Sequence, residues 1–286
     1  SALENITYHD FLHFIEQLFK HVTIEALIHG NWLESHAREI TETIKDAFYH
    51  RFDGRNHVSC PVIDVQGQQE FIVPVHMPNH DHAALIYYPM ADKELETTAL
   101  CMLTSHLLSP IFFQEMRTEK QFGYLVNVGY IPINRYPGMG LYIQSPHCEP
   151  EQLVAEIDGF VESATEKLND MPDKQWQTFK LGLAAQLTEK DTSLRTKSQR
   201  FWASICNKDF SFDRKEALIK TMTNIELTDI LNFINAHIIK QENTYLERFT
   251  LISLNKKNEI KNWENNHQQS VINSPLSFTK DCKRKF

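Results

Sequence analysis

Glycine and proline are scarce in this sequence, with nine and eleven copies in 286 residues. Long flexible linkers and low-complexity stretches are therefore not expected. There is no apolar run of about 18 residues, the length a membrane-spanning helix needs. The opening, Ser1-Ala2-Leu3-Glu4-Asn5, is polar and not basic, so it does not read as a signal peptide. Five cysteines (Cys60, Cys101, Cys148, Cys206, Cys282) lie far apart with no CxxC pair, which speaks against a cysteine-based zinc site. Their odd number fits free thiols better than a disulfide framework. An excess of positive charge is also missing. The formal net charge is −8, which argues against a nucleic-acid or anionic-membrane surface. The basic end (Lys280, Lys283, Arg284, Lys285) is short and reads as a solvated tail.

The familiar catalytic signatures are absent too. Neither HExxH nor HxxEH occurs around any of the 14 histidines. His29 to His36 has the wrong spacing. His76, His80 and His82, with Asp81 between, would converge on a metal if a hairpin joined them, but a polar hairpin tip is the preferred reading. GxSxG, a Walker loop and GxGxxG are all missing, and His147-Cys148 is a weak signal for a nucleophile.

What is present is an ordinary globular composition, 42% hydrophobic and 23% charged. Residues 7–21 repeat apolar positions at helical spacing (Phe11, Leu12, Ile15, Leu18, Phe19), with Thr7 as a cap. Residues 23–30 read as a strand, and 34–49 as a second helix. One strand and two helices make a poor core, so this piece reads as the end of a domain. A longer unit follows a loop at 51–68. Strands are expected at 70–76, 82–88, 122–130, 140–145 and 245–254, with 77–81 as a hairpin or wide turn. Helices are expected at 95–108, 151–168, 173–189, 193–206, 214–221 and 226–238. From about 255 the chain turns polar and reads as a frayed tail. The fold class is α+β: an antiparallel sheet with several helices packed on one side.

Phe112 to Tyr124 is the informative stretch. It leaves a helix and enters a strand, carrying the hydrogen-bond donors Arg117 and Tyr124. Such donors can grip a peptide carbonyl or an oxyanion. Spacing alone favours a plainer arrangement, with Arg117 in a surface ion pair and Tyr124 in the core.

The pattern F-x-x-x-R-T-x-x-Q-x-G-Y over Phe113–Tyr124 resembles a stretch in the C-terminal half of the pitrilysin and insulin-degrading-enzyme family of zinc metallopeptidases. Gly140–Ser145, the helix at 151–168, Trp202, Phe212-Asp213-Arg214 and, upstream, Ala26–Asn31 follow in the same order, so the resemblance runs from about residue 7 to 254. It implies that residues 1–56 end a preceding α+β domain and that 57–286 form a complete insulinase-type domain. It implies a non-catalytic C-terminal part of a zinc metalloendopeptidase. Such a part closes a peptide-degrading chamber and presents Arg117 and Tyr124 to substrate. Zinc would be held by an HxxEH motif in the N-terminal half of the same polypeptide, with none expected on this chain, and the chain by itself would be inactive. Two other roles stay open: a zinc-less scaffold and a peptide-binding homologue. The compartment stays unknown, with periplasm or secretion suspected for a bacterial source.

Overall fold

The computed structural model describes residues 2–20, 23–48, 61–64, 71–76, 81–239 and 247–254, together with Ile272, Phe278, Arg284 and Lys285. In chain order its helices and strands are α1 (Tyr8–Leu18), α2 (Glu34–Phe48), β1 (Val62–Ile63), β2 (Phe71–His76), β3 (His82–Pro89), α3 (Leu95–Phe113), β4 (Val126–Tyr130), β5 (Gly138–Ser145), α4 (Pro150–Glu162), α5 (Ala164–Asn169), α6 (Asp173–Thr188), α7 (Leu194–Cys206), α8 (Arg214–Thr223), α9 (Leu227–His237), β6 (Phe249–Leu254) and β7 (Arg284–Lys285). They divide into two compact units, one of residues 1–60 with 190–212, the other of residues 61–189 with 213–286.

The larger unit holds the sheet, in the order β2-β6-β3-β5-β4. Its pairings are antiparallel except β2 with β6, which run parallel. The expectation of an α+β fold stands; that of a purely antiparallel sheet does not. The reason is β6, which returns from the end of the helical run and inserts between β2 and β3. Those two strands therefore do not form a hairpin, and the residues that join them, 77–80, lie outside the described ones.

Alternation along the strands sends one set of side chains to the core. Ala84 and Ile86 of β3, Leu141 and Ile143 of β5, and Val126 and Val128 of β4 are buried on the helical face. Against it lies α3, which is apolar on nearly every side, as a helix enclosed by protein must be. Its buried hydroxyls are satisfied within the helix: Thr98 Oγ1 donates to the Glu94 carbonyl and Ser105 Oγ to that of Cys101, both at 2.8 Å. Phe112 meets Phe160 of α4 edge-on, with centroids 4.9 Å apart, and Trp176 of α6 is also enclosed. The other sheet face is open. Leu85, Tyr142 and Leu251 there border an apolar groove of about 300 Å³.

Most of the tail expected to fray from about 255 lies outside the described residues. The described ones engage the larger unit. The Ile272 amide donates to the Ile72 carbonyl at 2.8 Å, Phe278 stands edge-on to Phe71, and β7 pairs with β1.

The smaller unit contains α1, α2 and α7. Thr7 caps α1 in a reciprocal box with Asp10: the Asp10 amide reaches Thr7 Oγ1 at 3.2 Å, and the Thr7 amide reaches Asp10 Oδ2 at 2.9 Å. The strand expected at 23–30 is irregular chain and joins no ladder among the described residues. Its side chains are instead used locally, His29 meeting Ser198 of α7 at 2.8 Å and Glu25 pairing with Lys208. No residue of α1 or α2 is buried.

Candidate functional site

The site grows out of the C-terminal end of α3. Pro110 sits within its last turn and lacks the N–H that would continue the helical ladder. Residues Gln114–Glu119 then adopt a wider π-type turn, closed by the Lys120 amide donating to the Glu115 carbonyl at 2.9 Å. Such wide turns are rare and concentrate at functional sites. Apolar anchors pin it from inside. Phe112 and Met116 are fully enclosed, Phe122 nearly so, and the Phe122 amide reaches the Met116 carbonyl at 3.0 Å.

From Phe122 the chain crosses close over β5. A Cβ on Gly123 would stand 1.9 Å from the Gln144 carbonyl oxygen, so only glycine permits this approach. The Gln144 amide then donates to the Leu125 carbonyl at 2.9 Å. The strand expected over 122–130 consequently begins only at Val126. Tyr124 belongs to the crossing segment rather than to the ladder, and its alternation with Val126 and Val128 is broken. It is 78% exposed.

Arg117 emerges from the middle of the wide turn. Its guanidinium carbon lies 4.4 Å from the Tyr124 ring centroid and 4.9 Å from that of Phe113. Each such contact contributes about 0.5–1 kcal/mol at an exposed position and orients the planar head. Among the described residues Arg117 has no carboxylate partner. The surface ion pair and the core tyrosine that spacing favours are thus both absent. Instead a half-buried guanidinium with five donors lies beside the exposed phenol ring of Tyr124. The pair can receive carbonyl or carboxylate oxygens.

The acids near this turn are already engaged. Glu115 accepts from Lys120 at 3.0 Å and also from Lys167 of α5, while Lys120 reaches Glu156 of α4 at 2.7 Å. Burial alone would push the Glu115 carboxyl up, but the bonds and charges of Lys167 and Lys120 outweigh it and hold it below the usual range. For Lys120, burial pulls the ammonium down, and Glu156 and Glu115 outweigh it, leaving it raised. The sequence reading missed this network. Glu115 and Lys120 are five residues apart, a spacing that faces different sides of an α-helix and meets only on the wider turn.

The histidine cluster does not assemble as a hairpin would require. His82 is buried, 3.4 Å from the Ser253 carbonyl and 3.5 Å from Glu149. His76 ends β2, in register with Leu254, so β6 separates its backbone from β3. His80 and the His76 side chain lie outside the described residues. Among the described residues no group of three His, Cys, Asp or Glu side chains is placed to hold a metal ion. No described helix is long and apolar enough to cross a membrane.

Comparison with known proteins gives this geometry its context. Residues 103–202, which carry the C-terminal part of α3 and the wide turn, match the family model described as PQQ synthase PqqF-like, C-terminal lobe domain 4. A nardilysin-like protein of Arabidopsis thaliana is 24% identical over 245 residues, 83% of this chain and 24% of that protein. Insulin-degrading enzyme of Drosophila melanogaster is 23% identical over 250 residues, 84% of this chain and 25% of its own length. The crystal structure of pitrilysin superposes with a TM-score of 0.77 at 19% identity, over 88% of this chain and 26% of pitrilysin. At that identity the likeness to pitrilysin concerns the fold. By these matches the chain is similar to the C-terminal lobe of the insulinase-type (M16) peptidases, a family of zinc peptidases. It spans about a quarter of the length of the curated relatives it matches. The zinc that the family implies has no fitting set of donors among the described residues.

Proposed function

We propose that this chain is the non-catalytic, chamber-closing C-terminal part of a zinc metalloendopeptidase. In this reading Arg117 and Tyr124 donate hydrogen bonds to the scissile region of a peptide held by the N-terminal half of the same polypeptide. Zinc belongs to that half, and this chain alone does not cleave peptides. Residues 1–56 end a preceding α+β domain, a reading supported by two amphipathic helices that bury nothing.

One observation carries the substrate role: Arg117 is held between two aromatic rings and, among the described residues, has no acidic partner. An oriented, unpaired guanidinium is poised for an incoming oxygen. A resting ion pair would have to be broken first. Carrying the donors on a separate lobe makes substrate engagement depend on closure, which favours peptides that fit within.

The test is cleavage of a quenched fluorescent peptide. This chain alone, the N-terminal half with zinc, and the two combined are compared. Only the combination should cleave at full rate. Arg117→Ala in the combination should lower turnover about 10²–10³-fold, equivalent to about 2.7–4 kcal/mol for the loss of one oxyanion-type donor. Unchanged turnover would sink the reading, and cleavage by this chain alone would require a site of its own.

A further inference from the structure

Resting on that reading, a second tier of residues emerges around Arg117. The wide turn is closed twice. Its backbone is closed by Lys120 N to Glu115 O at 2.9 Å, and its side chains by Lys120 Nζ to Glu115 Oε1 at 3.0 Å. Two helices hold the same pair from outside. Glu156 of α4 accepts from Lys120 at 2.7 Å, and Lys167 of α5 donates to the second Glu115 oxygen. Lys167 also lies 4.5 Å over the Phe160 ring, and Phe160 packs edge-on against Phe112, the last buried residue of α3. The four charged side chains are only 20–37% exposed. Exposure at that level screens a pair less than open solvent does.

The charge arithmetic matters as much as the geometry. Two carboxylates, Glu115 and Glu156, meet two ammonium groups, Lys120 and Lys167. Their charges cancel. Glu115 lies in the middle of this chain of charges, two residues before Arg117. Both its oxygens are already occupied.

We propose that Glu115, Lys120, Glu156 and Lys167 form a positioning network for Arg117, fixing the turn that aims it. None of the four touches substrate. Their effect reaches the reaction only through the arginine. Pinning is needed because the guanidinium is otherwise held by two aromatic rings, one of them on the exposed crossing segment.

A double-mutant cycle tests this in the complete polypeptide, with thermal melting and peptide cleavage read in parallel. Glu115→Gln should lower kcat about tenfold to a hundredfold, the range expected when a reacting group is misplaced by about 1 Å, with a smaller change in KM. In an Arg117→Ala background the same substitution should leave cleavage unaltered, while its small effect on melting persists. Lys120→Met, which removes the link between Glu115 and Glu156, should reproduce the kcat loss and guards against misfolding of the first variant. Independent, additive losses from Glu115→Gln and Arg117→Ala would overturn the proposal, because Glu115 would then act by another route. Wild-type kcat in both Glu115→Gln and Lys120→Met, with Arg117→Ala impaired, would overturn it while leaving the substrate role of Arg117 standing. An Arg117→Ala protein with normal turnover would remove both.

Discussion

Gly123→Ala perturbs the site through its backbone. The added methyl would stand 1.9 Å from the Gln144 carbonyl oxygen, 3.1 Å from the carbon of that carbonyl and 3.4 Å from Ser145 Cα. Ordinary Cβ contacts do not fall below 3.0 Å, so the crossing segment or the end of β5 must retreat by about an ångström. Neither side is a flexible side chain. The Gln144 amide is bonded to the Leu125 carbonyl at 2.9 Å, and Ser145 is in register with His82 of β3. Forced overpacking of this kind costs about 1–3 kcal/mol. The displacement also falls next to Tyr124, whose ring lies 4.4 Å from the Arg117 guanidinium carbon. A shift of about 1 Å in a reacting geometry can cost about a hundredfold in rate. Urea denaturation should therefore give a midpoint lower by the equivalent of about 1–3 kcal/mol, with an unchanged slope. Cleavage in the complete polypeptide should fall further than the stability loss accounts for at a temperature where the variant is fully folded. An alanine variant with wild-type midpoint and wild-type turnover would refute the argument, since it would mean that the crossing yields without effort.

Two further outcomes follow from groups outside the site. Lys180 of α6 is buried, donating to the Thr223 and Ile225 carbonyls at 3.2 and 3.0 Å beside the Trp176 ring. Lys180→Met leaves those carbonyls at the end of α8 unsatisfied and should cost about 1–3 kcal/mol in a denaturation experiment. Burial lowers the pKa of both His106 and His237, with Asp92 and Glu247 partly opposing it at His237. The unfolded chain therefore binds their protons first as pH falls. Their contribution is complete above the ordinary histidine value of about 6.5 and is lost progressively below it. The denaturation midpoint should drop between about pH 7 and pH 5.5, and the His106→Gln, His237→Gln double variant should flatten that drop.

Legibility in the sequence followed the range of the forces involved. Helices such as α4 and α9 were plain because apolar residues three and four apart mark a packed face whatever the partner is. The β3 and β5 strands were legible as short apolar runs bounded by turn residues. What the sequence concealed depends on residues far apart in the chain. Nothing near β2 announces that β6, some 175 residues later, will lie between it and β3, and that insertion undoes the hairpin. Alternation through Phe122, Tyr124 and Val126 looked like one strand, yet Gly123 is where it fails, because close approach to β5 takes the chain out of the ladder. Arg117 and Tyr124 could be singled out from the pattern around them, but the state of the arginine could not. The turn that carries it is held by charges that reach Glu115. One of those is five residues away on a turn of unusual pitch, and another lies 52 residues away on α5. The pair Arg117 and Tyr124 was therefore readable as a local motif. The network around Glu115 exists only once α4 and α5 have folded against the turn.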